Sequence, residues 1–279
     1  GVPIKNKILA DLKTEIGVLV DAGKPRPAIG IVQVGNNPRS DVYVHKKKTF
    51  GHEIGAVVHH VQMPGVSTYE EIADAIGEFA CDPHVHGILI QMPLPKSVSA
   101  EEMQRLMDLI PLEKDADGLT SENMDMLASH FDRAILPATA RAVGLLLDGY
   151  DIEIGGKKAV VIGRSNLVGK PTALYLRNKG AEVSVCHRET ENIPEIAKES
   201  DILVVATGVP KLVTPDFANR NQTIIDIGIS VLPGSDDEGK IVGDVDYAHV
   251  APLVRNISPV PGGVGPLTVA AARWHSGRL

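Results

Sequence analysis

The segment from Ser40 to Lys47 brings together two side chains that could act on a ligand. It reads Ser-Asp-Val-Tyr-Val-His-Lys-Lys. Residues four apart on a helix lie on the same face, so a helix here would place the ring of Tyr43 beside the amine of Lys47. Ser40 is a suitable N-cap and Gly51 a suitable end for that helix. The segment therefore predicts a helix that presents an aromatic ring and an amine to one ligand.

A plainer interpretation is a solvated basic face, because residues 45–48 are His-Lys-Lys-Lys and such runs usually meet water. Three further segments favour the ligand site. One is an apolar strand that ends in an amide and two prolines, one is an acidic turn, and one is rich in glycine and proline. They are Gly87–Pro95, Lys114–Gly118 and Pro259–Pro266.

In this order and at this spacing, the four segments resemble the bifunctional methylenetetrahydrofolate dehydrogenase/methenyltetrahydrofolate cyclohydrolase family, essentially end to end. The resemblance implies oxidation of 5,10-methylenetetrahydrofolate to the methenyl cation by hydride transfer to NADP⁺. Hydrolysis of that cation to 10-formyltetrahydrofolate would follow, in one-carbon metabolism and purine biosynthesis. The resemblance also implies a tetrahydrofolate derivative as substrate and a homodimer as the assembly.

The resemblance assigns roles to residues of the folate site. Lys47 matches the catalytic lysine of the family's Tyr-Val-x-x-Lys pattern, and Gln91 matches a glutamine that hydrogen-bonds that lysine. Asp117 matches the acid that binds the pterin, since a carboxylate can accept two hydrogen bonds from its amino group and ring N–H. Tyr43 would stack on the aminobenzoyl group. A solvated turn acid is the alternative for Asp117.

The glycine-rich segment near the end would form a wall of the folate site. Gly262 and Gly263 lack side chains, so their backbone can lie against a flat ligand. Prolines, Pro261 among them, stiffen the loop around these glycines. The alternative is a structural turn.

Residues 159–171 have the order of a dinucleotide-binding strand, turn and helix start. The pattern is Gly-x-Ser-x-x-x-Gly, formed by Gly163, Ser165 and Gly169 with Arg164 and Val168 between them. N–H groups at a helix start favour phosphate. A structural strand-to-helix turn is the alternative, because the second glycine of the usual fingerprint is replaced by serine.

The next strand ends in Cys-His-Arg, where NAD enzymes usually carry an acid. Arg188, together with Arg164, suits the 2′-phosphate of NADP, and His187 lies beside them in the sequence. NADP is therefore favoured over NAD. Glu189 could neutralise Arg188, and some family members use NAD with phosphate and Mg²⁺, so NAD is the alternative.

Two later loops also follow predicted strands, where loops reach the ligand. They contain Thr207 and Gly208 in one and Ile229 in the other. They resemble the family's cofactor-lining loops, and routine tight turns are the alternative.

Apolar runs at Ala28–Val34 and Gly87–Gln91 predict two strands, and strands alternating with helices predict an α/β protein. We expect two domains with an active-site cleft between them: an N-terminal α/β folate-binding domain (1–138, plus a C-terminal helix, 266–279) and a Rossmann-like doubly wound dinucleotide-binding domain (139–265). Capping boxes are expected at Ser67 with Glu70 and at Ser99 with Glu102. Residues 120–136 show weak periodicity, Pro137 is expected to open a helix, and Pro233–Gly239 to form a surface hairpin.

Composition limits the class of protein. The chain has 279 residues and a net charge of −7, which argues against a nucleic-acid surface. Its two cysteines and ten histidines show no metal-binding spacing, so we expect no metal site and a cytoplasmic location. No apolar run is long enough to span a bilayer. The rival functions are a family member with one activity, a dinucleotide-binding regulator without catalysis, and a small hydroxy-acid dehydrogenase.

Overall fold

The computed structural model describes residues 1–231, 241–272 and 274. The hairpin predicted over Pro233–Gly239 lies outside the described residues. The chain divides into two compact units. The first unit comprises Asn6–Ala138 and the chain from Val269 onward, and the second comprises Gly1–Lys5 and Thr139–Thr268. The domains expected from the sequence, 1–138 with 266–279 and 139–265, stay a prediction.

The first unit is built on a parallel sheet of three strands in the order β2-β1-β3. The two strands β1 and β3 are buried along their whole length and have the bounds expected from their apolar runs. The strands are β1 (Ala28–Val34), β2 (Val57–Met63) and β3 (Gly87–Gln91). The helices before Thr139 are α1 (Val2–Asp21), α2 (Pro38–Ile54), α3 (Tyr69–Cys81), α4 (Ala100–Met107), α5 (Ser121–Ser129) and the first residue of α6 (Ala138–Gly149).

Helix α2 is longer at both ends than the sequence predicts. It begins at Pro38, and the Asp41 N–H already donates to the Asn37 carbonyl at 3.0 Å, so the prediction of Ser40 as N-cap is wrong. The Ser40 hydroxyl donates instead to the Met92 carbonyl at 3.3 Å. The helix ends at Ile54, followed by Gly55 with φ +86°. Gly55, not Gly51, supplies the left-handed residue that ends a helix.

Gly51 lies within α2 and is a glycine because its neighbours leave no room for a side chain. A Cβ on Gly51 would lie 2.8 Å from the ring of Trp274 and would also meet Val58. Trp274 is buried 5.2 Å from the ring of Phe50, and its indole N–H donates to the Val269 carbonyl at 2.8 Å. The segment after α10 (Gly265–Ala271) therefore closes the core of the first unit against α2.

Helix α3 starts one residue later than expected. Ser67 belongs to the preceding turn, where its N–H donates to the Pro64 carbonyl. Thr68 is the N-cap, and it exchanges hydrogen bonds with Glu71 in a capping box. The prediction of Ser67 with Glu70 is therefore wrong by one residue. The box of Ser99 with Glu102 at the start of α4 is confirmed.

The second unit has a five-stranded parallel sheet in the order β10-β7-β6-β4-β5. Its strands are β4 (Lys158–Ile162), β5 (Glu182–Cys186), β6 (Ile202–Val205), β7 (Thr223–Asp226) and β10 (Asn256–Ile257). A short antiparallel pair, β8 (Ser230–Val231) and β9 (Ile241–Val242), follows β7. Helices α7 (Gly169–Asn178), α8 (Ile193–Lys198) and α9 (Tyr247–Val250) complete it with the rest of α6.

This sheet confirms the doubly wound arrangement expected for the second unit. The chain moves from β4 to β5 on one side and then to β6 on the other, so the strand order reverses at β4. In such sheets, ligands bind outside the carboxyl ends of the strands at the reversal. The turn after β4 and the loop after β6 are therefore well placed for a ligand. The chain enters the unit through α6, which begins one residue after Pro137.

Two buried carboxyl groups connect the loops at this edge of the second sheet. Asp226, at the end of β7, accepts hydrogen bonds from the N–H groups of Gly228, Asp244 and Val245 at 3.0 Å each. Burial, and secondarily the charge of Asp244, raise the pKa of Asp226 to about 6. The folded protein thus holds a proton at this site that the unfolded chain would release at lower pH.

We expect this proton to make stability depend on pH. Because the pKa of Asp226 is higher in the folded state, the free energy of unfolding should fall as pH rises from about 4 to about 6, by about 2 kcal/mol. In Asp226→Asn that component of the slope should vanish. Urea denaturation between pH 4 and 7 measures it, with the exposed Asp216→Asn as the control. Equal pH slopes in the wild type and Asp226→Asn would contradict the assignment.

The two registers of the α3 capping box are distinguishable by substitution. Thr68→Ala removes the hydroxyl that accepts from the Glu71 N–H, so the free energy of unfolding should fall by about 1 kcal/mol. Ser67→Ala is the matched control and should change it by less than about 0.5 kcal/mol. A larger loss from Ser67→Ala than from Thr68→Ala, measured by urea denaturation, would restore the register expected from the sequence.

Candidate active site

Lys47, Gln91 and Asp117 come together in the first unit. Lys47 lies on α2 and is buried, with 8% of its surface exposed. Its Nζ is 3.4 Å from the Oε1 of Gln91, at the end of β3, and 3.8 Å from the Oδ2 of Asp117. A charged amine, a neutral amide and a carboxylate thus meet at the carboxyl end of a parallel strand.

The amide of Gln91 is oriented by two partners of opposite kind. Its NH₂ group donates to the Met92 carbonyl at 2.7 Å, and its oxygen faces the Lys47 ammonium. An ammonium group only donates hydrogen bonds, so the amide oxygen must point toward it. The same Met92 carbonyl accepts from the Ser40 hydroxyl on α2. These bonds fix the distance between α2 and the end of β3.

Asp117 is held in place by its neighbour Asp115. The Asp115 carboxylate is buried and accepts from the N–H groups of Gly118 at 2.7 Å and Thr120 at 2.9 Å. Burial raises the pKa of Asp115 despite these hydrogen bonds. Asp115 therefore closes the turn, and the Asp117 side chain is left to face Lys47. The two acids lie in one turn and differ in burial. Asp115 is buried and holds the turn, whereas Asp117 is partly exposed and faces Lys47.

Other buried groups support the same turn. The amide of Asn123, on α5, donates to the carbonyls of Gly118 and Ile135 and accepts from the Ile135 N–H. Lys114 donates to three carbonyls at the end of α3, from Phe79 to Asp82. The sequence analysis missed Asn123, since residues 120–136 show weak periodicity, yet this residue holds the segment after the turn.

Tyr43 lies one helical turn before Lys47 on α2 and is half-buried. Its ring centroid is 5.5 Å from the Nζ of Lys46. Burial raises the pKa of the Tyr43 hydroxyl, so the ring carries a neutral phenol. A flat, partly covered ring suits stacking on an aromatic ligand, and the role of Tyr43 at the aminobenzoyl group stays a prediction.

The glycine-rich loop belongs to the second unit. Gly262 adopts φ +110°, a conformation that favours glycine, and the bond from Val260 to Pro261 is cis. Gly263 donates its N–H to the Pro259 carbonyl at 2.8 Å, and a Cβ there would lie 2.6 Å from that oxygen. Both glycines are thus required by the backbone of this loop. Its role as a wall of the folate site stays a prediction.

The turn after β4 fits the phosphates of a dinucleotide. Gly163 has φ +126°, and a Cβ on it would run into the Ala206 carbonyl oxygen. A Cβ on Gly169 would run into the Gly163 carbonyl oxygen. The turn therefore lies close to the end of β6 only because Gly163 is glycine, and close to the start of α7 only because Gly169 is glycine. The start of α7 lies at the carboxyl end of β4, where helix N–H groups attract phosphate.

Ser165, which replaces the fingerprint's second glycine, has a structural function. Its hydroxyl accepts from the N–H groups of Val168 at 3.2 Å and Gly169 at 3.4 Å. Val168 is the N-cap residue of α7 and has no side-chain capping bond of its own. Ser165 therefore caps the helix from within the turn, which explains a serine at this position.

Asp244 fixes the loop after β6. It is fully buried, and its Oδ2 accepts from the N–H and hydroxyl of Thr207 at 2.6 and 2.8 Å and from the Gly208 N–H at 2.8 Å. A Cβ on Gly228, in the loop after β7, would meet the Asp244 carboxylate. This loop leads to Ile229, which is half-buried. The sequence analysis missed Asp244, which lies far from both loops in the chain.

Two arginines and one histidine surround one carboxylate next to the turn after β4. Glu189 lies 3.3 Å from the Nη2 of Arg164, 3.6 Å from the Nε of Arg188 and 3.7 Å from the Nδ1 of His187. Both arginines are exposed. The structure thus brings together the residues expected at the adenosine ribose, with the acid among them.

Within residues 1–231, 241–272 and 274, no group of histidine, cysteine, aspartate or glutamate side chains could hold a metal ion. None of the helices described there is long and apolar enough to cross a membrane. The groups described so far are one cluster of a lysine, an amide and a carboxylate, and one glycine-containing turn before α7 with two arginines nearby.

Comparison with known proteins matches most of the chain to two family descriptions. The description "Tetrahydrofolate dehydrogenase/cyclohydrolase, catalytic domain" matches residues 1–117, and "Tetrahydrofolate dehydrogenase/cyclohydrolase, NAD(P)-binding domain" matches residues 137–272. The bifunctional protein FolD of Lacticaseibacillus paracasei is 40% identical over 271 residues, which cover 97% of this chain and 93% of that protein.

Solved structures give the same result. The bifunctional FolD enzyme of Campylobacter jejuni superposes with a TM-score of 0.90 at 36% identity, covering 96% of this chain and 93% of that one. The Trypanosoma brucei FolD, complexed with NADP and an inhibitor, has a TM-score of 0.89 at 32% identity, covering 96% of this chain and 92% of that one. The family predicted from four short segments is thus confirmed: the chain belongs to the tetrahydrofolate dehydrogenase/cyclohydrolase (FolD) family.

Proposed function

We propose that Lys47, Gln91 and Asp117 act on the folate in the family's two reactions, and that NADP is the redox cofactor. Members of the family are methylenetetrahydrofolate dehydrogenases and methenyltetrahydrofolate cyclohydrolases of one-carbon metabolism. The observation that carries the proposal is the position of the Lys47 ammonium between the Gln91 amide and the Asp117 carboxylate. A regulator without catalysis would not need this buried arrangement.

The dehydrogenase step is a task of positioning. NADP held at the turn of Gly163 and Gly169 would supply the hydride acceptor, and the protein's task would be to position the methylene carbon of the folate for that transfer. Asp117 would bind the amino group and ring N–H of the pterin, and Tyr43 would stack on the aminobenzoyl ring. Asp115 and Asn123 keep the Asp117 turn fixed, so they support this orientation without touching the substrate.

The cyclohydrolase step needs a group that manages protons. Water attacks the cationic carbon and loses a proton, one carbon–nitrogen bond breaks, and the products are 10-formyltetrahydrofolate and H⁺. Lys47 is the proton-transfer group in this proposal, since its Nζ is the donor at the centre of the cluster. Gln91 holds that amine by a neutral hydrogen bond and adds no charge.

Lys47→Ala should abolish most cyclohydrolase turnover. A positioned acid or base typically contributes on the order of 10²–10⁴-fold, so kcat for hydrolysis should fall by about that factor while folate and NADP still bind. Loss of methenyltetrahydrofolate absorbance measures hydrolysis, and reduced cofactor measures the dehydrogenase. The exposed neighbour Lys48→Ala is the control. Near-normal hydrolysis in Lys47→Ala would remove Lys47 from the mechanism.

The case for NADP rests on charge at the end of β5. Arg164 and Arg188 lie on either side of Glu189, and guanidinium groups bind phosphate in a bidentate manner. The T. brucei relative is complexed with NADP. Glu189 favours the second candidate, NAD, since a carboxylate at this place can accept from the ribose 2′-hydroxyl.

Removing both arginines should weaken NADP far more than NAD. For Arg164→Ala with Arg188→Ala we expect KM for NADP to rise on the order of 100-fold and KM for NAD to change less than about threefold, since only NADP carries the 2′-phosphate. Steady-state kinetics at saturating methylenetetrahydrofolate measure both. Arg220→Ala, an exposed arginine of the same unit, is the control. Equal losses for the two cofactors would refute the 2′-phosphate site.

The assembly and the location of the protein follow from the family alone. A homodimer and a cytoplasmic setting are part of this proposal, and the molar mass in solution, by light scattering, tests the dimer. A mass of about 30 kDa, near the 29.7 kDa of one chain, would contradict it.

A further inference from the structure

Glu189 forms polar contacts with Arg164, His187 and Arg188, the residues of the proposed ribose site. Its two carboxylate oxygens are divided between two arginines: Oε2 is 3.3 Å from Arg164 and Oε1 is 3.6 Å from Arg188. Its N–H donates to the Nδ1 of His187 at 3.3 Å. The cations that would receive a phosphate are therefore already paired with a carboxylate that belongs to the protein.

A 2′-phosphate and the Glu189 carboxylate would compete for the same donors. The carboxylate is a planar oxyanion and the phosphate a tetrahedral one, and guanidinium groups bind both through paired N–H bonds. Two anions on the same two arginines would repel each other, so binding of the phosphate must separate Glu189 from at least one arginine. NAD has a hydroxyl at this position, which can donate to the carboxylate and leaves the ion pairs in place.

We propose that Glu189 is a specificity-determining residue that competes with the 2′-phosphate for Arg164 and Arg188 and thereby reduces the preference for NADP over NAD. The proposal rests on the proposed function, since it assumes that these arginines face the ribose. It makes the cofactor preference a balance of charges within three residues: two cations attract the phosphate and one carboxylate opposes it.

The size of the effect is limited by exposure. The side chains of Arg164 and Glu189 are each 57% exposed, and that of Arg188 is 87% exposed. Exposed ion pairs contribute little, so separating them costs little, and the effect on binding should be roughly 3- to 10-fold in total. The preference for NADP is thus reduced and not reversed.

Glu189→Gln tests the proposal because it keeps the shape of the side chain and removes its charge. We expect KM for NADP to fall roughly 3- to 10-fold and KM for NAD to stay the same or rise, so that the ratio of kcat/KM for the two cofactors shifts toward NADP. Glu191→Gln is the matched control, an exposed glutamate two residues further along the same loop. Cyclohydrolase activity, measured without cofactor, reports whether each variant is folded.

A double-mutant cycle separates this proposal from the cofactor assignment itself. In the Arg164→Ala, Arg188→Ala background, Glu189→Gln should no longer change KM for NADP, because the groups in competition are gone. If the arginine variant alone leaves the cofactor ratio unchanged, both the 2′-phosphate site and the role of Glu189 are wrong. If it lowers the NADP preference but Glu189→Gln leaves the ratio unchanged or lowers it, only the role of Glu189 is wrong.

Discussion

Buried carboxyl groups that accept backbone N–H bonds hold the loops of both units. Asp115 closes the turn that carries Asp117, Asp226 joins the chain after β7 to residues 244 and 245, and Asp244 fixes the loop at Thr207. Parallel strands end at the same edge of a sheet. The loops at that edge have no further strand to pair with, so other groups must hold them rigid. A carboxylate can accept from several N–H groups at once, so one residue can order a whole loop. Burial opposes its charge, and the raised pKa of Asp226 is the result.

This constraint gives neighbouring residues of one motif different tasks. In the segment Lys114–Gly118, Lys114 binds the end of α3, Asp115 binds the turn, and Asp117 faces Lys47. In the second unit, Ser165 has a structural task, because its hydroxyl caps α7 by accepting from the Val168 N–H. Short motifs of this kind combine structural and chemical tasks, and substitution at either kind of residue would reduce activity.

The local sequence predicts the bounds of an element correctly where its pattern allows only one set of bounds. The apolar runs of β1 and β3 are bounded by polar and turn residues, and their limits were predicted to the residue. The start of α3 was not, because Ser67-Thr68 followed by Glu70-Glu71 offers two capping registers that differ only in the preceding turn. The doubly wound order of the second unit followed from alternating strands and helices, whereas its edge strand, β10, is two residues long and leaves no pattern.

The features that the sequence did not show depend on contacts between residues far apart in the chain. Gly51 resembles a helix end in the sequence, and its contacts with Trp274 and Val58 explain why it is glycine. Asp244 lies 37 residues from Thr207, and no local pattern links them. The contact of Lys47 with Gln91 is expected from family resemblance, because spacing alone places only Tyr43 on the same helix face. The contact of Lys47 with Asp117 is expected from neither.

The packing of Trp274 on α2 has a consequence for the order of events during synthesis. The core of the first unit includes Phe50, one turn after Lys47, and also Val269, Ala270, Ala272 and Trp274, which the ribosome makes more than 200 residues later. Domains generally fold as units, the N-terminal one first. Here the first unit must wait, with the apolar surface of α2 around Phe50 and Gly51 uncovered, until the second unit has left the ribosome. During that interval the nascent chain carries a hydrophobic surface of the kind that chaperones bind.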